Sequence, residues 1–158
     1  PRAPRLGLVE LRSIVADAVS IVKRDPSAQS IDVGIEGTDV SASVDAEMVR
    51  ATVLNLLLNA AQAMAGKGRI LVTLGQSDGR AVIEVRDSGP GIPVEIRDRV
   101  FEPFFTTKAR GGGLGLPIAR RTAELHGGTL SYNCPADGGT IVTLTLPVEP
   151  ARARAESA

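Results

Sequence analysis

The stretch VLNLLLNAAQAM, residues 53 to 64, decides how this chain is read. It is apolar enough for the middle of a buried helix, yet it places Asn55 and Asn59 four apart, with Gln62 three further on. Asp45 precedes it in the position of an N-cap, with Glu47 in the first turn. Gly66 follows as a stop, so a helix is predicted up to about Ala65. On a 3.6-residue period Thr52, Asn55, Asn59 and Gln62 form one stripe, and Val49, Val53, Leu54, Leu56, Leu57, Leu58, Ala60 and Ala61 form the rest. A stripe that merely faces solvent carries Lys, Glu and Arg. Short amides instead keep carbonyl oxygens free to accept from a ligand or to bind a hard cation such as Mg²⁺, which takes few protein ligands.

The bulk composition narrows the classes. A chain of 158 residues is long enough for one domain with its own core. Eighteen basic residues balance eighteen acidic ones, and aromatics make up 3%, which gives no footprint for nucleic acid or for contact with an anionic membrane. One Cys and one His exclude an internal disulfide and a zinc site built from those residues. A reducing, cytoplasmic compartment is the expectation.

Working outward, PRAPRLG (residues 1–7) reads as a linker, residues 8–148 as one domain, and residues 149–158 as a disordered tail. Leu8, Leu11, Val15, Val19 and Val22 have helical spacing, predicting a helix from about Leu8 to Lys23. SIDVGIEG and DVSASVD alternate as strands, and GRILVTLGQSDGRAVIEVRDSG reads as strand, turn, strand. VEIRDRVF is a short helix, PFFTTKARGGG a loop, and LGLPIARRTAELHGG a helix ending at Gly127. TLSYN and TIVTLTLP are the last two strands. That order predicts helices on one face of a mixed sheet.

Two further clusters carry chemistry. In EVRDSGPGI a strand ends on Asp87, whose carboxylate can accept from an exocyclic amine, while Gly89 and Gly91 let the backbone approach a flat ring. In TTKARGGGLGLPIARR, Lys108 and Arg110 precede a run of glycines and a helix beginning near Leu114, a plausible phosphate cradle at a helix N-terminus. It is neither a Walker A loop nor a Rossmann turn. GQSDG, residues 75–79, matches G-x-S-x-G but leads into a strand, so it reads as a hairpin turn. His126 beside the Gly127 stop reads as structural.

Taken in order, NLLLNAAQAM, DSGPGI, FEPFF, TTK, GGGLGLPIARR, HGGTL and GGTIVTLTLP resemble the catalytic ATP-binding domain of bacterial two-component sensor histidine kinases. The resemblance covers about Leu8 to Pro147 and is nearest to the nitrogen-regulation branch, which carries a similar EPFFTTK. The wider superfamily includes DNA gyrase, heat-shock chaperones and mismatch-repair ATPases. The resemblance implies an α+β fold of the Bergerat type, a two-layer α/β sandwich whose mixed, mostly antiparallel sheet packs on three helices. It implies ATP and Mg²⁺ as cofactors, with Asn59 on the metal and Asn55 beside the phosphates. Asp87 corresponds to the aspartate that reads the adenine amine, with Gly89, Gly91 and Ile92 around the ring. Arg97 to Gly113 would be a lid anchored by Phe101, Phe104 and Phe105, with Thr107 and Lys108 toward the phosphates. Gly111, Gly113, Leu114, Gly115 and Leu116 match the second glycine box, and Thr140 the threonine near the adenine pocket.

Two departures from the family pattern, at Gln62 and Gly112, and one distinction from its hydrolysing relatives, at Asn55, accompany the resemblance. Gln62 stands where many sensor kinases have a basic residue, which shifts phosphate charge onto Lys108. Gly112 replaces the threonine of the second glycine box, loosening the lid. Asn55 stands where hydrolysing relatives have the glutamate that serves as general base, and an amide has no useful basicity. The resemblance therefore implies a protein histidine kinase domain that positions ATP. No residue of this chain acts on the γ-phosphate beyond that positioning. By the same resemblance the accepting histidine would lie on a separate upstream dimerisation domain, and a response regulator would be an indirect partner. The isolated domain is expected to be a monomer, cytoplasmic or the cytoplasmic part of a membrane-bound sensor. A gyrase- or chaperone-type ATPase and a non-catalytic nucleotide-binding interaction module are the alternatives.

Overall fold

The computed structural model describes residues 2–102 and 115–149. Seven strands and three α-helices form the fold among the described residues. Strand β1 (Gly7–Glu10) leads into helix α1 (Leu11–Lys23), followed by β2 (Ser30–Gly37) and β3 (Ser41–Val44). Helix α2 (Ala46–Ala63) precedes β4 (Lys67–Ser77) and β5 (Arg80–Asp87). Helix α3 (Gly115–Leu125) precedes β6 (Thr129–Asn133) and β7 (Thr140–Pro147).

The main sheet has five strands in the order β2-β4-β5-β7-β6. β2 and β4 are parallel and the other pairs antiparallel. This is the mixed, mostly antiparallel sheet expected. Alternation fixes its buried face: Ile70, Val72 and Leu74 of β4, Ala81, Ile83 and Val85 of β5, and Leu144 and Leu146 of β7 are all buried. Against them α1 sets Leu11, Ile14, Val15, Ala18, Val19 and Val22, and α2 sets Val49, Val53, Leu56, Leu57, Ala60 and Ala61. From α3, Ala119 and Ala123 are buried. No helix among the described residues is long and apolar enough to cross a membrane.

The predicted first helix begins three residues too early. Gly7–Glu10 is a strand, antiparallel to β3, and Leu11 N donates to Val40 O at 2.9 Å. Leu8 is 79% exposed, so its helical spacing from Leu11 carries no packing. Backbone pairing with β3, remote in sequence, overrides local periodicity here. The predicted VEIRDRVF helix is a 3₁₀ turn over Val94–Arg99. Asp78 and Gly79 both have positive φ, 51° and 74°, and Ser77 pairs with Arg80 across them. That makes a two-residue hairpin turn of the I′ kind and removes any nucleophile elbow at residues 75–79.

His126 is structural, as its position suggests. Its Nε2 accepts from Asp45 N at 3.0 Å, so the ring proton sits on Nδ1 and is donated to Thr122 O, 2.8 Å away. Asp45 caps α2 by accepting from Met48 N at 3.0 Å, and also accepts from Arg5 N and from the Arg2 guanidinium. One buried node therefore joins the end of α3, the start of α2 and the N-terminal segment. The Arg2 guanidinium holds the Asp45 carboxyl well below the usual carboxylate range; burial opposes this, and the N–H groups of Arg5 and Met48 reinforce it. The folded-state pKa is depressed, so the stabilisation is present above the ordinary aspartate range near about 4 and fades as pH falls below it. Urea denaturation of Asp45→Asn should therefore show a deficit at pH 7 that shrinks under acid. His126→Ala leaves the buried Asp45 N–H without an acceptor and opens a cavity. It should cost roughly 2–4 kcal/mol in the same measurement.

Candidate functional site

The candidate site lies where the end of α2 passes the turn after β5. Helix α2 divides its surface as a two-sided element must. Asn55 and Asn59 are half-buried, whereas the Leu56, Leu57, Ala60 and Ala61 side chains beside them are inside the core. The amide stripe is shorter than its periodicity suggests: Thr52 is 2% exposed and belongs to the core, and Gln62 is exposed.

Asp87 closes β5 and is 8% exposed. Its Oδ1 accepts from Gly89 N at 2.9 Å and from Thr140 N at 3.2 Å. Asp87 and Thr140 are register partners across β5 and β7, which is why one carboxylate oxygen reaches both amides. Among the described residues Oδ2 has no hydrogen-bond partner, so one acceptor of a buried carboxylate is left for something else. Burial pushes the Asp87 carboxyl above its ordinary range, against the two N–H groups that favour the charge.

The glycines around Asp87 are set by protein neighbours. Gly139 has φ +83°, and a Cβ there would stand 2.2 Å from Asp87 O. Gly91 has φ +81°, and its Cβ would meet Gly139 O at 3.2 Å. Both positions are left-handed and crowded, so a side chain at either displaces the turn that carries Asp87. Ile92 N donates to Cys134 Sγ at 3.4 Å, and Ile92 O accepts from Arg97 Nε at 2.8 Å.

The beginning of the expected lid is pinned at several points. The Tyr132 hydroxyl donates to Arg97 O at 3.0 Å. The Phe101 ring lies 6.0 Å from the Tyr132 ring, and the Arg120 guanidinium of α3 stands 5.0 Å over Phe101. Leu116 lies in the first turn of α3 and packs against the core. Phe104, Phe105, Thr107, Lys108, Gly111, Gly113 and Leu114 fall outside the described residues, as does the environment of Gly115.

The structure thus brings Asp87, Gly89, Gly91, Ile92 and Thr140 together where β5 ends and β7 begins, with Asn55 and Asn59 on α2 and Leu116 on α3. Sequence reasoning missed Gly139, whose need for glycine could have been suspected from the GG directly before Thr140. It also missed Met64, Ser88 and Cys134, which carry no local signal.

Residues 44–150 match the family of histidine kinase-, DNA gyrase B- and HSP90-like ATPases. The chain is 37% identical over 145 residues to the sensor histidine kinase ZraS of Escherichia coli strain K12, covering 90% of this chain and 31% of that protein. It is 36% identical over 154 residues to the C4-dicarboxylate transport sensor protein DctS of Rhodobacter capsulatus, covering 93% of this chain and 23% of that one. The chain thus spans less than a third of the length of these relatives. Among solved structures, a mycobacterial sensor histidine kinase, MprB, superposes with a TM-score of 0.81 at 33% identity, covering 92% of this chain and 99% of that one. The catalytic domain of histidine kinase ThkA gives 0.84 at 28% identity, over 92% and 97% of the two chains. The chain belongs to the histidine kinase-, DNA gyrase B- and HSP90-like ATPase family, as a catalytic ATP-binding domain of the sensor histidine kinase kind.

Asp87→Asn retains an oxygen at Oδ1 for Gly89 and Thr140, so the fold should persist. The raised pKa means that ionised Asp87 costs stability, a cost absent below the unfolded value near about 4 and complete once pH exceeds the folded value. The variant should accordingly melt at or above the wild-type temperature at pH 7, with the difference vanishing toward pH 4.

Proposed function

We propose that this domain binds Mg-ATP between α2 and the Asp87 turn and presents the γ-phosphate to a histidine on a separate dimerisation domain. The observation that carries this is the buried Asp87, whose Oδ2 has no hydrogen-bond partner among the described residues, in a glycine turn that packs on the end of the amide-bearing helix α2. Oδ2 accepts from the exocyclic amine of adenine. Asn55 lies beside the phosphates and Asn59 holds the cation. The donor set fits Mg²⁺: an amide carbonyl is a hard oxygen ligand, and Mg²⁺ keeps most of its shell as water and phosphate. Among the described residues no group of three or more His, Cys, Asp or Glu is placed to hold a metal by itself. When bound, the cation neutralises phosphate charge. Lys108 and Thr107, with Gly111, Gly113, Leu114, Gly115 and Leu116, surround the phosphates in the same reading.

The chain's own contribution is positioning. A nucleotide held at both ends leaves its γ-phosphate in line for an external nucleophile, and phosphoryl transfer needs little else from the protein. Asn55 cannot deprotonate water, whereas a neutral imidazole needs no base to attack. This favours transfer to histidine over hydrolysis. The relative ShkA, solved in complex with AMPPNP, has the same fold at a TM-score of 0.80 and 26% identity, which supports an ATP-shaped ligand. A response regulator then receives the phosphoryl group from that histidine, and the sensor acts in two-component signal transduction in the cytoplasm.

Calorimetry should show Mg-ATP binding by the chain. Asp87→Asn turns the open acceptor into a donor facing the adenine amine and should weaken binding by roughly tenfold or more. Chelating the cation with EDTA should weaken it as well. Mixing the chain with its upstream dimerisation domain and labelled ATP should give an acid-labile label on a histidine of that domain. An acid-stable label on Ser or Thr, or steady ATP turnover by the isolated chain, would exclude the kinase reading.

A further inference from the structure

Met64 is placed where the two halves of the site meet. It is the C-cap residue of α2, the helix that carries Asn55 and Asn59, and it is buried. Its thioether reaches across to the turn after β5. The Ser88 hydroxyl donates to Met64 Sδ at 3.4 Å and accepts from Arg69 N at 2.9 Å. Ser88 N in turn donates to Arg69 O at 3.1 Å. Gly89 and Gly68 both lack a side chain where Met64 passes. A Cβ at Gly89 would stand 3.0 Å from Met64 Cγ, and one at Gly68 would stand 2.5 Å from Met64 Sδ. The glycine of the turn therefore makes room for a methionine on the protein side, besides any approach of a ligand.

From this geometry we infer that Met64 is a positioning residue for base recognition, clamping the Asp87–Ser88–Gly89 turn to the end of α2 so that the open oxygen of Asp87 is held in one direction. The inference rests on the reading of Asp87 as the adenine contact. Asp87 is anchored through one oxygen on two backbone N–H groups, of Gly89 and Thr140. The Gly89 half of that anchor is fixed only as far as the turn is. The turn has exposed residues at Ser88 and Pro90, and Met64 is the buried side chain under it. A flexible thioether fills an irregular gap between a helix end and two glycines and still accepts a weak hydrogen bond, which a β-branched residue would not do. Truncating it removes the floor of the turn while leaving the Asp87 carboxylate itself unchanged.

The test separates base reading from general stability by comparing Mg-ATP with Mg-ITP, in which the exocyclic amine is replaced by a carbonyl oxygen. The wild-type chain should prefer ATP by roughly tenfold or more, since ITP sets an acceptor against the Asp87 carboxylate. Absence of ATP binding, or equal binding of the two by the wild type, would overturn the adenine reading itself. Given a wild-type preference, Met64→Ala should lose most of the ATP-to-ITP ratio, ITP affinity changing much less than ATP affinity. Met64→Leu, of similar size but lacking the sulfur, should restore most of it. Ser88→Ala, which removes the hydroxyl between Met64 and Arg69, should reduce the ratio in the same direction and decides the matter if Met64→Ala does not fold. A folded Met64→Ala, or in its absence Ser88→Ala, that retains the wild-type ratio would overturn the inference.

Discussion

A single carboxylate oxygen holds the site together. Asp87 Oδ1 accepts from Gly89 N in the turn that follows β5 and from Thr140 N at the start of β7. Two chain segments more than fifty residues apart thereby share one acceptor, and the carboxylate is left with one oxygen to offer. Burial raises the Asp87 pKa, against the two N–H groups that favour the charged form. The crowding at Gly91 and Gly139 follows from the same constraint. Backbone must pass within contact distance of Asp87 for its amides to reach, and no side chain fits there.

Helix α2 works under a second constraint, because one helix serves both core and site. Its apolar residues pack on α1 and the sheet, and its amides are left at the margin. Such a helix needs its axis and rotation fixed at both ends. At its start, Asp45 is tied to the N-terminal segment through Arg2 and Arg5 and to α3 through His126. At its end, Met64 packs against Gly68 and Gly89. The placement of Asn55 and Asn59 therefore depends on contacts at both ends of the helix, made by residues remote from them in sequence.

Much of this could be read from the chain before any coordinates. The amide pair of α2, the turn at Asp87, the β4–β5 hairpin and the helix stops rest on local chemistry: capping, periodicity, and residues that tolerate positive φ. The resemblance in ordered motifs pointed to the family that the comparisons support. The errors are those where distant pairing competes with local pattern. Leu8 has helical spacing, but residues 7–10 join a strand thirty residues away. Thr52 lies on the amide stripe by period, yet neighbouring elements cover it.

What the sequence determined by itself is therefore the set of elements and the kinds of group on their faces, because 3.6- and 2-residue periods and glycine positions are local properties of the chain. What only the tertiary structure decided is how those groups meet. The pairing of Asp87 with Thr140, the use of Gly89 to admit Met64, and the His126–Asp45 node each join residues remote in sequence. Hydrogen-bond direction and close packing select such partners, and neither leaves a trace in any short stretch of sequence.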